Sequence, residues 1–313
     1  MTNNGKKIWM DGSLVDWNKA RIHLLTHALH YATAVFEGIR CYKTANGLAI
    51  FRLSDHIQRL INSGKIYFMN IEFSKVELER AVIDTINAND VREELYVRPI
   101  AYYGYGKMGV NPLPNKVSVA VATWKWDEYL KKDKQHNEKG VRLMVSAWMR
   151  IDGRTMPFLA KATANYANSA LARVEAIRAG FDEAIMLNTD GKVIEASAEN
   201  IFIVKDGLLV TPPITSGALN GITRDTVLTI AKENNIPHVI RDITRDELYI
   251  ADEVFLTGTA AGIKPVSEID SRMIADGKDG MITNQVREEF ELIVHDKDNN
   301  NLSKKWLTFV KNT

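Results

Sequence analysis

The stretch Asp127-Glu-Tyr-Leu-Lys-Lys-Asp-Lys-Gln-His-Asn-Glu-Lys-Gly140 divides the chain: eight of its fourteen residues are charged. Large and small apolar residues alternate before it in Val117-Ser-Val-Ala-Val-Ala-Thr123, and a similar strand pattern, Val141-Arg-Leu-Met-Val-Ser-Ala147, follows it. A solvated loop joining two separate cores accounts for that break. Three blocks are therefore expected: a domain over residues 1–126, an interdomain loop over 127–140 and a second domain over 141–313. The length of 313 residues agrees with two domains.

Outward from the break, Gly47-Leu-Ala-Ile-Phe51 reads as a strand. Ser54 is suited to cap a helix whose residues Ile57, Leu60 and Ile61 share a face, and a second helix is expected over Val76–Ala88 with Val82, Ile83 and Ile86 inward. In the second block, short apolar strands are expected at 184–187, 201–204 and 254–257. A helix is expected from Thr163 to Ala179, with Leu171, Val174 and Ile177 inward and Gly180 at its C′ position. Further helices start near Thr223 and cover Ile282–Val294. Strands and helices do not alternate strictly, so two α/β domains of the α+β kind are favoured over one doubly wound parallel sheet.

Forty Lys and Arg against thirty-nine Asp and Glu leave a net charge of +1, without the basic excess that marks a nucleic-acid partner. The single cysteine, Cys41, cannot form an internal disulfide, which points to a reducing compartment, the cytoplasm. No apolar run approaches the roughly 20 residues of a membrane span.

Two motifs look chemical and are read otherwise. Gly104-Tyr-Gly106-Lys-Met-Gly109 has the spacing of a dinucleotide loop, but Pro112 and Pro114 forbid the helix that motif must open. His23, His27 and His30 would line one face of a helix, as a zinc site requires. Leu24, Leu25, Ala28 and Leu29 are interleaved, however, and core histidines bonded to backbone are the reading; no metal is expected.

Lys161, in Pro157-Phe-Leu-Ala-Lys161-Ala-Thr-Ala-Asn-Tyr166, stands among small and apolar residues and is a candidate nucleophilic amine. Three features suit an anion. Leu219-Asn-Gly221-Ile222-Thr223-Arg224 opens a helix, Thr257-Gly258-Thr259-Ala260-Ala261-Gly262 forms a small-residue turn after a strand, and Arg59 supplies a fixed positive charge.

Lys161 with Tyr166, the run Val193-Ile-Glu195-Ala-Ser-Ala-Glu-Asn200-Ile-Phe202, and the segments 219–224 and 257–261 together resemble the fold-type IV pyridoxal-phosphate enzymes. His27-Ala-Leu-His30-Tyr31, Phe36-Glu-Gly-Ile-Arg40, Tyr96-Val-Arg98-Pro and Met108-Gly-Val-Asn-Pro112 are similar to segments of the branched-chain amino acid aminotransferases among them. The resemblance implies two α/β domains with pyridoxal 5'-phosphate at their interface and Lys161 as its attachment point and proton carrier. It implies Glu195 on the ring nitrogen, with Glu199 as nearest rival, Tyr166 on O3′ and Leu219 on a ring face. Arg59, Gly221, Ile222, Thr223 and Thr259 would hold the phosphate.

For substrate, the resemblance implies an aliphatic pocket of Tyr31, Phe36, Met108, Val110, Trp126 and Tyr166. Arg98 would meet a distal carboxylate, and Tyr96 with the Thr259-Ala260 amides the α-carboxylate. The activity implied is transamination of leucine, isoleucine and valine with 2-oxoglutarate, by a homodimer or trimer of dimers in which Tyr31 and 108–110 reach a neighbour's site. A D-amino acid or (R)-amine transaminase and aminodeoxychorismate lyase share the fold and are the alternatives. Ala196, Ala198 and Asn220 depart from the family's usual glycines and proline, which bears on substrate preference.

Overall fold

Antiparallel pairing between Leu95–Tyr103 and Val117–Lys125 runs unbroken from Leu95 opposite Lys125 to Tyr103 opposite Val117. Along the second strand Val119, Val121 and Thr123 are buried and the residues between them less so, because side chains alternate across a strand. The computed structural model describes residues 5–126, 140–297 and 301–310. The chain divides into two compact units.

Unit 1 comprises Met1–Asp127, Ala160–Ala164 and Leu292–Thr313. Its described residues form an eight-stranded sheet with the order Leu307–Phe309, Gly47–Phe51, Ile39–Thr44, Leu95–Tyr103, Val117–Lys125, Lys7–Met10 and Ser13–Asp16, and with Ala34–Phe36 paired to Leu95–Tyr103. Helices Leu53–Ile66 and Lys75–Asn89 bury Ile57, Leu60, Val82 and Ile86 in the core of this unit. Ser74 and Glu77 close a reciprocal capping box on the second helix. The first helix starts differently from expectation. Its N-cap is Arg52 in a left-handed conformation, with its N–H bonded to the Trp306 carbonyl, so Ser54 lies inside the helix.

Unit 2 comprises Glu128–Leu159 and Asn165–Glu291. Its ten-stranded sheet is mixed: Val141–Val145 runs parallel to Glu183–Leu187 and to Gly262–Ile269, while Asn200–Lys205 and Glu253–Gly258 pair antiparallel. Helix Thr163–Arg178 ends before Gly180, whose positive φ satisfies the C′ requirement. Its face is turned from the expected one. Leu171, Val174 and Ile177 are about half exposed, and Ser169, Ala172 and Ala176 are buried instead. Ala172 and Ala176 pack on Ala184 and Met186 of the sheet. Small residues allow close approach there, and the bulky ones are left outside.

The units divide the chain differently from the expected blocks: Ala160–Ala164, with Lys161, groups with the first part, as does Leu292–Thr313. The expected interdomain loop falls on residues of which 127–139 lie outside the described ones. No helix among the described residues is long and apolar enough to cross a membrane.

Candidate active site

Lys161 is held in unit 1 by its own main chain. Its N–H donates to Ser63 Oγ at 3.0 Å, and its carbonyl accepts from the Phe36 N–H at 2.9 Å. Ala162, the next residue, bridges to Val35 of strand Ala34–Phe36. The lysine stem is thus registered against both a strand and the helix Leu53–Ile66, and its Nζ stands 5.2 Å from the Phe36 ring centroid.

The same helix carries His56 and Arg59 toward Glu37, the residue after Phe36. Arg59 donates Nε to Glu37 Oε1 at 2.6 Å and Nη2 to Oε2 at 2.8 Å, and His56 Nδ1 lies 2.7 Å from Oε2. Burial alone would raise the Glu37 pKa. The Arg59 charge and hydrogen bonds from both partners outweigh it, holding the carboxyl well below its usual range. Burial lowers the pKa of His56, and the Arg59 and Lys161 charges add to that, against the pull of Glu37. His56 is neutral, so Nδ1 carries the proton given to Glu37. Its Nε2 is buried with no hydrogen-bond partner among the described residues.

Arg98 sits in a cage of rings. Its guanidinium carbon is 4.8 Å from the Phe36 centroid, 5.5 Å from Tyr96 and 5.7 Å from Trp124, and its Nε is buried with no hydrogen-bond partner among the described residues. Trp126 stacks on Tyr96 at 5.2 Å, and the guanidinium carbon of Arg40 lies 5.0 Å from the Trp126 ring; Arg40 in turn pairs with Glu94. Rings interleaved with arginine cations have the chemistry to suit an aliphatic chain and a carboxylate alike.

In unit 2 the chemistry centres on Glu195, which is buried. Its Oε2 accepts from Asn200 Nδ2 at 3.2 Å and from the Leu219 N–H at 3.1 Å, and Arg150 Nε lies 2.8 Å from Oε1, at ion-pair distance without hydrogen-bond alignment. Asn200 Nδ2 also bonds the Leu219 carbonyl at 3.0 Å, which ties the carboxylate to the segment that opens helix Ile222–Glu233. Gly221 is the N-cap of that helix and brings no side chain across its N–H groups. A β-carbon there would collide with Asn200 Oδ1, so only glycine fits. Ile222 and Thr223 follow, both buried, at the positive end of the helix dipole. Thr259 and Ala260 form the turn between strands Glu253–Gly258 and Gly262–Ile269, just after Thr257, whose buried hydroxyl has no partner among the described residues. Glu199 turns its side chain to its own neighbour, accepting from the Ala198 N–H at 3.2 Å. Tyr166 lies on helix Thr163–Arg178, half-buried.

The remaining expected residues sit on the surface of unit 1. Tyr31 and Met108 are partly exposed and Val110 is 83% exposed. Tyr31 ends the short helix His27–Tyr31, and the glycine-rich loop that carries Met108 and leads to Val110 opens no helix; Asn115 bonds both main-chain groups of Lys107, and His27 Nε2 meets the Gly109 carbonyl at 2.7 Å. His27 is the buried histidine expected, while His23 and His30 are exposed and bond nearby backbone, so the reading of all three as core residues is corrected. Glu37, His56, Ser63, Arg150 and Asn200 were not singled out from sequence. The signal for the first three was a carboxylate, a histidine and a hydroxyl set in otherwise apolar patterns.

The amino-transferase class IV family model matches residues 34–269. The branched-chain-amino-acid aminotransferase of Pseudomonas aeruginosa is 42% identical over 311 residues, covering 99% of each chain. The crystal structure of the T.th. branched-chain amino acid aminotransferase complexed with N-(5'-phosphopyridoxyl)-L-glutamate superposes with a TM-score of 0.93 at 45% identity, covering 99% of this chain and 100% of that one. The branched-chain aminotransferase from the thermophilic archaeon Thermoproteus uzoniensis, solved with norvaline, gives 0.92 at 44%, covering 98% and 100%.

Proposed function

The chain belongs to the class IV aminotransferase family, and from that premise we propose that it transfers the amino group of leucine, isoleucine and valine to 2-oxoglutarate, yielding branched-chain 2-oxo acids and L-glutamate. The observation that carries the substrate class is Arg98, a cation with a buried, unpartnered Nε inside a cage of Phe36, Tyr96 and Trp124. One pocket with that lining takes an alkyl chain in one half-reaction and a distal carboxylate in the other.

The residues fit pyridoxal 5'-phosphate. The glycine-capped helix start and the unpartnered Thr257 hydroxyl beside the Thr259 turn are what a phosphate group asks for. Bound, the cofactor supplies the electron sink for the charge left at the substrate Cα. Lys161 is the residue that would hold it covalently; once the substrate's amine has displaced that bond, the freed Lys161 amine would take the proton from Cα, and its clamped main chain limits where that amine swings. Such positioned proton transfer contributes roughly 10²- to 10⁴-fold. In unit 2, Glu195 would hold the ring nitrogen, kept in place by Asn200 and the Leu219 N–H; the amides of Ile222 and Thr223, with Thr259, would hold the phosphate, Gly221 giving them room. Leu219 would cover a ring face, Tyr166 would meet O3′ and shield the alkyl chain, and the Thr259-Ala260 amides would orient the α-carboxylate. In unit 1, Arg59 would meet the phosphate and Tyr96 the α-carboxylate, and Phe36 and Trp126 would exclude water from the alkyl chain.

A homodimer, or a trimer of dimers, in the cytoplasm is the working form in this reading. Tyr31, Met108 and Val110 of unit 1 are exposed, as are Leu171, Val174 and Ile177 of unit 2, and a second copy of the chain would give these apolar side chains cover. The buried thiol of Cys41, pushed up to about 12 mainly by burial, forms no cross-link.

Borohydride reduction of the cofactor-loaded protein followed by peptide mapping tests the chemistry. A pyridoxyl group on Lys161 is expected. An unmodified Lys161 in a protein that turns over L-leucine and 2-oxoglutarate would refute the assignment.

A further inference from the structure

Glu37 is fully buried, carries a full charge, and has no part in the reaction just described. Its surroundings account for it. Three N–H groups converge on its two oxygens: the Nε and Nη2 edge of Arg59 and Nδ1 of His56. A guanidinium has five donors in one plane, so bidentate pairing along the Nε/Nη2 edge fixes the orientation of the whole plane and turns the Nη1 edge away from Glu37. His56 does not compete for Arg59. Being neutral, it holds Oε2 from the far side and stops the carboxylate from rotating.

The Glu37 main chain is fixed as well, its N–H bonded to the Pro99 carbonyl at 2.8 Å, one residue beyond the Phe36 N–H that takes the Lys161 carbonyl. Helix Leu53–Ile66 contributes His56 and Arg59 to Glu37 and Ser63 to the Lys161 N–H. The same strand end and the same helix therefore set both the arginine plane and the lysine main chain.

We infer that Glu37, steadied by His56, is a positioning residue that aims Arg59 at the cofactor phosphate and fixes the spacing between that phosphate and Lys161. This rests on the reading of Arg59 as a phosphate ligand. A carboxylate beside a phosphate-binding cation also reduces the field the phosphate meets. Orientation wins here, because the pair is buried and the guanidinium loses its bidentate partner when Glu37 is lost.

The test compares pyridoxal phosphate with pyridoxal, which lacks the phosphate, each loaded onto the full-length chain and followed by loss of chromophore. In Glu37→Gln, release of pyridoxal phosphate is expected to accelerate about tenfold, the loss of one charge-assisted hydrogen bond, while pyridoxal release stays within about twofold. Arg59→Met should give a similar acceleration, and Glu37→Met/Arg59→Met should be no faster than Arg59→Met alone. That double variant removes both charges and remains informative if Glu37→Gln folds poorly. Equal acceleration for both ligands, or additive effects in the double variant, would overturn the inference and make Glu37 a structural anchor only. Unchanged phosphate-ligand release in Arg59→Met would instead remove the reading of Arg59 and leave the positioning role without an object.

Discussion

Two buried carboxylates, Glu37 in unit 1 and Glu195 in unit 2, each lie beside a buried or half-buried arginine and both accept hydrogen bonds, yet from different kinds of donor. Glu37 receives a bidentate fork from Arg59 and a third bond from His56, so its oxygens serve to fix a cation. Glu195 is fixed by neutral donors, Asn200 and the Leu219 N–H, and its arginine is near but not aligned. In the proposed reading the arginine is the working end of the first pair and the carboxylate that of the second. The kind of donor, an aligned guanidinium in one and neutral amides in the other, tells them apart where burial and charge do not.

Three substitutions sharpen or break that contrast. Glu195→Gln should have the largest effect, lowering kcat by about 10²- to 10³-fold with pyridoxal phosphate still retained, since in the proposed role it removes an oriented charge at the reacting ring. Steady-state kinetics with L-leucine and 2-oxoglutarate measure it; a loss under tenfold would make Glu195 no different from Glu37. Arg150→Gln comes next. It leaves the Glu195 charge buried without its cation, at about 3 kcal/mol of stability read by urea unfolding, and kcat should fall less than in Glu195→Gln because the neutral donors still hold the carboxylate.

His56→Phe is the smallest. His56 is neutral in the fold, its pKa below the ordinary 6.5, so as pH drops under 6.5 the unfolded chain takes up a proton that the folded chain refuses. Wild-type stability therefore falls on acidification below pH 6.5, as urea unfolding reads it, and the phenylalanine variant loses that slope. Glu37 adds a similar acid loss only below its ordinary 4.5, outside this interval. Parallel slopes for the two proteins between pH 6.5 and 5.5 would mean that His56 is charged in the fold and shares the work of Arg59.

Much of the fold was legible because it rests on local patterns. Strands expected at 47–51, 117–123 and 201–204 and helices expected to begin near 163 and 223 lie within two residues of the observed elements, because alternation, helical spacing and glycine stops are local. The failures were cases in which a neighbour outvoted a local rule. Ser54 has the chemistry of a cap, but Arg52 is pinned by the Trp306 carbonyl and takes that position. Leu171, Val174 and Ile177 are the most apolar residues of their helix, but it is the small residues Ala172 and Ala176 that pack on the sheet.

By itself the sequence determined the chemical vocabulary: an isolated lysine, a glycine-capped helix start, a turn of small hydroxyl-bearing residues, and arginines at Arg59 and Arg98. Covalent neighbours set those features, and their order along the chain carried the family. Tertiary structure alone decided which polar groups face one another. Glu37 meets Arg59 and His56 across 22 and 19 residues, Lys161 meets Ser63 across 98, and Glu195 meets Leu219 across 24. Hydrogen bonds act over about 3 Å and depend on angle. Their partners are therefore chosen by how the sheets and helices pack, and no pattern along the chain encodes that choice.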